Sequence, residues 1–219
     1  VFDWTDVAGE IQMRISERIA NQDSWSWQYY KWPNFFSNDE IKQLNEFIEN
    51  NYVELENKTD FPSYKNVSSV KHIPFANTQH LIYRIVAQAI KVAERDFGYN
   101  IFYPHDDWFL NYNTYDSKSN DSYDWHTDSS GRASFDIKMT LLINLSEESY
   151  DGGEFELLQG KTPTPVPEYF SPGSVVMFKS HILHRVKPVT SGIRKSLTLF
   201  INGPKFQWVT IYSKIISLR

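Results

Sequence analysis

The apolar positions along the chain change period near residue 98. Before it they recur at helical spacing. Val7, Ile11, Ile15 and Ile19 step by four and predict one apolar stripe on a short helix over 6–20. Ser37-Asn38-Asp39-Glu40 has the Ser-x-x-Glu pattern, in which serine and glutamate satisfy each other's orphan amides at a helix start. Ile41, Leu44, Phe47 and Ile48 then share one face. The strongest helical run carries Leu81, Ile82, Ile85, Val86, Ala89, Ile90, Ala93 and Phe97; Asn77 or Thr78 is its expected cap and Gly98 its stop. The aromatic stretch 24–33 reads as a strand or packing loop ended by Pro33. Residues 51–76 are polar, contain Pro62 and Pro74, and read as loop.

Beyond Gly98 the period becomes two. Short β-type runs are expected around 101–112, 135–145, 154–158, 174–179, 182–187 and 195–202. Asp151-Gly152-Gly153, the proline-rich Thr162 to Pro167, Ser171-Pro172-Gly173 and Ser191-Gly192 separate them. The polar segment 116–124 is expected to be a mobile loop. Helices followed by many short strands make an α+β chain, with helices covering one side of an antiparallel sandwich or barrel. The expectation is a single domain over 1–219: a mainly helical supporting region, 1–99, and a β core, 100–219.

Composition narrows what such a fold can do. With 41% hydrophobic and 16% aromatic residues, the 219-residue chain can bury a sizeable core. A net charge of -5 argues against binding a nucleic-acid backbone as the main task. There are no cysteines, so disulfides and thiolate metal sites are excluded, and any metal must sit among His, Asp and Glu, which favours iron, manganese or zinc. No apolar run reaches membrane-span length and no signal pattern opens the chain. The default expectation is a cytoplasmic location without membrane association.

Candidate chemistry begins at Tyr123-Asp124-Trp125-His126-Thr127-Asp128. In a strand, residues i and i+2 face one way, so His126 and Asp128 can reach one metal. Chance supplies His-x-Asp often, and on its own the motif is more often a surface turn than a ligand pair. His184, in a later β-type run, changes the balance. Two histidines and one carboxylate on a β scaffold form the open-faced set of non-haem iron(II) oxygenases, although zinc hydrolases also use three protein ligands. His181 competes with His184, but three residues away it faces the other side of a strand. Arg194, Ser196 and Thr198 share one face of the strand that also carries Leu197 and Leu199. An arginine with hydroxyls beside it suits a carboxylate.

Taken in order, these motifs resemble a family. His-x-Asp, Tyr150-Asp151-Gly152-Gly153-Glu154, Pro172-Gly173 to Phe178, Leu183-His184-Arg185-Val186-Lys187-Pro188-Val189 and Gly192-Ile193-Arg194-Lys195-Ser196 look like the iron(II)/2-oxoglutarate-dependent dioxygenases, nearest the prolyl-4-hydroxylase-like branch. The resemblance covers roughly residues 100–203. It implies a double-stranded β-helix (jelly-roll) core with the N-terminal helices outside. It implies that His126, Asp128 and His184 hold iron, and that Arg194, helped by Ser196 and Thr198, holds the distal carboxylate of 2-oxoglutarate. Tyr112 matches the strand tyrosine that often contacts the cosubstrate. Leu142 falls where some relatives carry a tyrosine on that cosubstrate. The implied reaction consumes O2, releases succinate and carbon dioxide, and hydroxylates a peptidyl residue, proline favoured, or an amino acid, with ascorbate as reductant. Trp125, beside the first ligand, and the other aromatics are candidates to wall the pocket, most of them fitting the core better. Two rival readings use the same residues: a jelly-roll that binds a metal or ligand without redox chemistry, and a zinc hydrolase with Glu154 or Asp124 as base.

Overall fold

The period-two half of the chain folds into two facing antiparallel sheets. The computed structural model describes residues 28–53, 65–128 and 134–206. The larger sheet contains β1 (Tyr29–Trp32), β3 (Ser69–Pro74), β4 (Phe109–Asp116), β6 (Asp136–Asn144), β10 (Val175–Lys179) and β13 (Ile193–Gly203), in the order β1-β10-β6-β13-β4-β3. The smaller contains β2 (Lys65–Asn66), β5 (Ser122–His126), β8 (Phe155–Gln159), β9 (Thr162–Pro165) and β11 (His184–Val186), in the order β2-β5-β11-β8-β9. A short ribbon pairs β7 (Asp151–Gly152) with β12 (Val189–Ser191). This is the expected jelly-roll.

Helices α1 (Asn38–Asn51) and α2 (Phe75–Arg95) pack on the larger sheet. Helix α1 starts as its sequence dictates. Ser37 Oγ accepts from the Glu40 amide at 3.3 Å, and Glu40 Oε2 accepts from the Ser37 amide at 2.9 Å. Helix α2 starts earlier than expected, at Phe75 behind Pro74, with no side-chain cap. Its first amides instead find carbonyls from a distant loop: Phe75 N donates to Trp108 O at 2.7 Å and Ala76 N to Asp106 O at 3.5 Å. Thr78 therefore lies inside the helix, and Gly98 (φ +67°) lies in the turn beyond its end. No described helix is long and apolar enough to cross a membrane. The stripe expected over 6–20 lies outside the described residues.

Three segments read as irregular are ordered by tertiary contacts. Within 51–76, β2 and β3 are strands, and β3 pairs with β4 from Ser69↔Thr114 to Pro74↔Phe109. Their polar composition hid them because β3 is an edge strand with a half-exposed face. Segment 116–124 is a short turn at Ser117–Ser119 leading into β5, not a mobile loop. Asp121, fully buried, organises it: its Oδ2 accepts from the Asp116 amide at 2.8 Å and from Ser68 Oγ. The proline-rich run forms β9 at the edge of the smaller sheet, where an absent amide costs no ladder bond.

Alternation along the larger sheet separates two cores. Leu110, Tyr112, Met139, Leu141, Ile143, Met177, Leu197, Leu199 and Ile201 meet Ile41, Leu44, Ile82, Ile85 and Ala89 of the helices. Their neighbours Tyr115, Leu142, Val176 and Phe178 turn to the smaller sheet, against Phe155, Leu157 and Val186. The functional candidates lie in this second space.

Candidate metal centre and cosubstrate pocket

Antiparallel pairing brings the two distant histidines together. His184 on β11 is the register partner of His126 on β5. Directly opposed residues project to the same face, and here the two rings lie 4.1 Å apart between centroids. Asp128 follows the end of β5 and is pinned by its amide, which donates to Ser180 O at 2.9 Å. His126 Nε2 lies 3.7 Å from Asp128 Oδ1, and His184 Nε2 lies 3.4 Å from Oδ2. One ligand atom from each residue falls within 4.8 Å of the others. Donors that share one ion at ~2.1 Å sit roughly 3–4 Å apart, so the set suits a divalent metal.

The surroundings prepare these groups for that role. His126 Nδ1 donates to Asp124 O at 2.7 Å and His184 Nδ1 to Ile182 O at 2.9 Å. Carbonyls only accept, so both imidazoles keep their proton on Nδ1 and turn a lone pair on Nε2 toward Asp128. Burial, reinforced by the neighbouring His184, pushes His126 down to about 4, and burial likewise pushes His184 down to about 4. Both rings are therefore neutral at pH 7. Burial raises Asp128, partly countered by the hydroxyl of Thr140, which donates to Oδ2 at 2.7 Å. A buried carboxylate beside two neutral imidazoles that aim Nε2 lone pairs at it is a donor set that suits a cation. Tyr123 stacks on His126 at 3.5 Å and fixes the ring plane.

A cavity of about 90 Å³ extends from this cluster toward β13. Arg194, Ser196, Thr198 and Phe200 line it, as the alternation of β13 requires. Arg194 is 1% exposed and is fully enclosed. Its guanidinium carbon lies 5.0 Å from the ring of Tyr115 and 5.5 Å from that of Tyr169. Arg194 Nη1 donates to Ser196 Oγ at 3.5 Å. Gly153 (φ +65°) makes the room: a Cβ there would stand 3.0 Å from Arg194 Cδ and 3.0 Å from Val189 Cγ2. Arg194 Nε, Tyr169 Oη and Asn113 Oδ1 are buried without a partner among the described residues. An enclosed guanidinium with an unpartnered Nε–H, and a tyrosine hydroxyl beside it, are donors of the kind that suit a carboxylate.

Two expected pocket residues are elsewhere. Tyr112 is fully buried on the helix face of β4, where its hydroxyl donates to Asn45 Oδ1 at 2.9 Å. Alternation rules it out: Asn111, Asn113 and Tyr115 line the cavity, and Tyr112 has the opposite parity. Tyr115, three residues on, occupies the position expected of it. Trp125 does not line the cavity but takes the Arg185 guanidinium 4.6 Å above its ring. Leu142 lines the cavity as expected, while His181 is an exposed turn residue. Glu154 pairs with Lys187 at 3.6 Å and Asp124 Oδ1 accepts from the Trp125 amide at 2.8 Å; neither of the two bases expected for the hydrolase reading lines the cavity. Sequence reasoning missed Tyr115, Thr140, Asn113 and Lys65. Strand parity was available for Tyr115 and Asn113; Lys65, on a two-residue strand, left no periodic signal.

Comparison with known proteins agrees with this geometry. Residues 102–202 match the 2OG-Fe(II) oxygenase superfamily. A PKHD-type hydroxylase of Synechococcus sp. (strain CC9902) is 37% identical over 83 residues, 36% of this chain and 35% of that protein. One from Crocosphaera subtropica is 37% identical over 90 residues, 39% and 38% of the two chains. Each alignment thus spans little more than a third of the relative's length. Among solved structures, a Pseudomonas putida prolyl-4-hydroxylase superposes with TM-score 0.59 at 15% identity, over 86% of this chain and 97% of that one. A Trichoplax adhaerens prolyl hydroxylase, solved with a hypoxia inducible factor peptide fragment, gives 0.58 at 17% identity over 87% and 91%. At such identities the likeness speaks for the fold. Over residues 102–202 the chain is thus similar in sequence to the 2OG-Fe(II) oxygenase superfamily.

Proposed function

We propose that the protein is an iron(II)- and 2-oxoglutarate-dependent dioxygenase that hydroxylates a peptidyl residue, proline favoured, or an amino acid. The observation that carries this reading is a single cavity with a His126–Asp128–His184 cluster on one side and the enclosed Arg194 on another. A bare metal-binding jelly-roll has no use for an arginine whose Nε is buried and unpartnered. The neighbouring hydroxylases and the prolyl hydroxylase structures support the same chemistry.

In this reading His126, Asp128 and His184 hold iron(II), which, once loaded with 2-oxoglutarate and O2, supplies oxidative decarboxylation to succinate and carbon dioxide coupled to hydroxylation. The chain's own residues do the rest. The Nδ1–carbonyl bonds keep both imidazoles in the Nε2-ligating tautomer without a prior proton loss. Thr140 fixes the Asp128 carboxylate. Arg194 grips the distal carboxylate, with Ser196, Thr198 and Tyr115 beside it; Tyr115, pushed up to about 12 by burial, stays a neutral hydroxyl donor. Leu142, Phe155 and Phe200 exclude water from the space between. Ascorbate serves as the reductant that keeps iron ferrous.

The test is succinate release from 2-oxoglutarate by protein loaded with iron(II) and ascorbate, with proline-containing peptides and free amino acids as candidates. An anaerobic iron(II)–2-oxoglutarate complex should also show a weak visible charge-transfer band, which zinc cannot give. Neither succinate nor band would sink the reading.

A further inference from the structure

Arg194 stands at a partition between two spaces. On one side is the cavity of about 90 Å³ that it shares with the metal cluster. On the other is a larger pocket of about 370 Å³, walled among others by Tyr150, Gly153, Phe155 and Tyr169. Phe155 lines both. Arg194 faces the smaller space and Tyr169 the larger, and the guanidinium carbon lies 5.5 Å from the centroid of the Tyr169 ring. The arginine stem rests on the same wall, since a Cβ on Gly153 would stand 3.0 Å from Arg194 Cδ. The closed end of the cosubstrate cavity is thus backed by one ring, with the larger pocket behind it.

That ring is held in place. Tyr169 ends the short turn Pro167–Tyr169, is 2% exposed, and meets the Phe155 ring edge-on at 5.7 Å. Asn144, fully buried on the inner face of β6, donates from Nδ2 to Tyr169 O at 3.1 Å and to Phe170 O at 2.9 Å. Its own Oδ1 accepts from the Ser146 amide at 3.0 Å, which fixes the amide's orientation. Asn144 is also the register partner of Ser196, two residues from Arg194. The segment that carries Tyr169 is therefore tied to the strand beside the one that carries Arg194. A close-packed wall of this kind does not yield to an extra methylene without displacing its neighbours.

We propose that Tyr169 is the specificity residue for cosubstrate length: its ring stops the Arg194 guanidinium from retreating into the larger pocket, so the cavity admits the five-carbon 2-oxo dicarboxylate and rejects the six-carbon one. The inference rests on the oxygenase reading above and deepens it on the cosubstrate side. Arg194 cannot set the length alone. A guanidinium recognises either distal carboxylate equally well, and its stem would follow the longer acid if the space behind it were open.

The experiment titrates the whole protein, loaded anaerobically with iron(II), with 2-oxoglutarate and with 2-oxoadipate, and reads each Kd from the visible band. The parent should bind 2-oxoadipate about tenfold or more weakly than 2-oxoglutarate, the discrimination that one excess methylene gives in a closed pocket. In Tyr169→Ala, where Arg194 can step back, the two Kd values should converge to within about threefold, less than one methylene's discrimination. Tyr169→Leu keeps an apolar contact with Phe155 and should fall between. Tyr169→Phe keeps the ring and should hold the parent's ratio, whatever the hydroxyl adds to both affinities. Loss of packing alone would weaken both acids together and leave their ratio unchanged. A parent that binds the two acids alike would overturn the proposal, as would a parent-like ratio in Tyr169→Ala and Tyr169→Leu, or a ratio lost in Tyr169→Phe. If the parent forms no band with 2-oxoglutarate, the oxygenase reading itself falls; a band whose length preference ignores Tyr169 removes only the role of that ring.

Discussion

The two faces of the larger sheet are made by the same strands and do opposite work. The face toward α1 and α2 is sealed: Leu110, Tyr112, Leu141, Leu197 and Leu199 interlock with helical side chains, and the one buried hydroxyl on β4 there, Tyr112, has its partner in Asn45. The face toward the smaller sheet mixes Leu142 and Phe178 with Asn113, Thr140, Arg194, Ser196 and Thr198. Two of its polar atoms, Asn113 Oδ1 and Arg194 Nε, have no partner among the described residues. Desolvated polar groups left unmatched cost of order 1–3 kcal/mol each, so they persist where a ligand completes them. A shift of one residue along a strand therefore moves a side chain from scaffold to site.

The largest effect should come from the metal cluster. His184→Ala removes an Nε2 donor from a buried site that has no substitute among its lining residues. Succinate release and the visible iron(II)–2-oxoglutarate band should both drop to background, while circular dichroism stays that of the parent. Next is Arg194→Ala, which takes the enclosed cation from the other side of the cavity. Its apparent Kd for 2-oxoglutarate should rise by ~100-fold, the cost of truncating one partner of a buried charge pair. Arg194→Ala with unchanged 2-oxoglutarate affinity would move the cosubstrate away from β13 and dissolve the contrast between the two faces.

How far the sequence carried this picture depends on which face a residue serves. The apolar face is legible because burial repeats: Leu197, Leu199 and Ile201 fix the parity of β13, and Arg194, Ser196 and Thr198 follow from it. The same rule, applied to β4, separates Tyr112 from Tyr115, although the resemblance to a family tyrosine points to Tyr112. The capping box of α1 was readable because both its members are local. The start of α2 was not, because its caps are the carbonyls of Trp108 and Asp106, some thirty residues away. Strands β2 and β3 were missed since their polar residues carry no alternation; they are held by pairing with β5 and β4, information that no local window contains. Lys65 was lost with them.

A smaller effect is expected where the two faces support each other. Thr140, on the inner face of β6, donates to Asp128 Oδ2 and lies 3.2 Å from Ser180 Oγ. Thr140→Val keeps the shape and removes the hydroxyl. Asp128 is still anchored by its amide to Ser180 O, so the carboxylate should loosen rather than leave. Iron(II) affinity, read by competition with a chelator, should fall about tenfold, as for other partners that orient metal ligands. Loss of 2-oxoglutarate affinity without loss of iron would instead place Thr140 on the cosubstrate.

The smallest effect tests the parity itself. Tyr115→Phe should weaken 2-oxoglutarate binding about fivefold, the share of one neutral hydrogen bond, with little change in stability. Tyr112→Phe should do the reverse. It deprives Asn45 Oδ1 of its donor while Asn45 Nδ2 keeps Leu145 O and Glu147 Oε1, each at 2.9 Å. An acceptor stranded in the helix-facing core should cost ~1–2 kcal/mol in chemical denaturation and leave the apparent Kd for 2-oxoglutarate within about twofold of the parent. If the two variants exchanged phenotypes, β4 would be turned over in solution, and Asn111 and Asn113 would leave the cavity with it. A single hydroxyl on each face thus decides whether scaffold and site are divided where the alternation of β4 divides them.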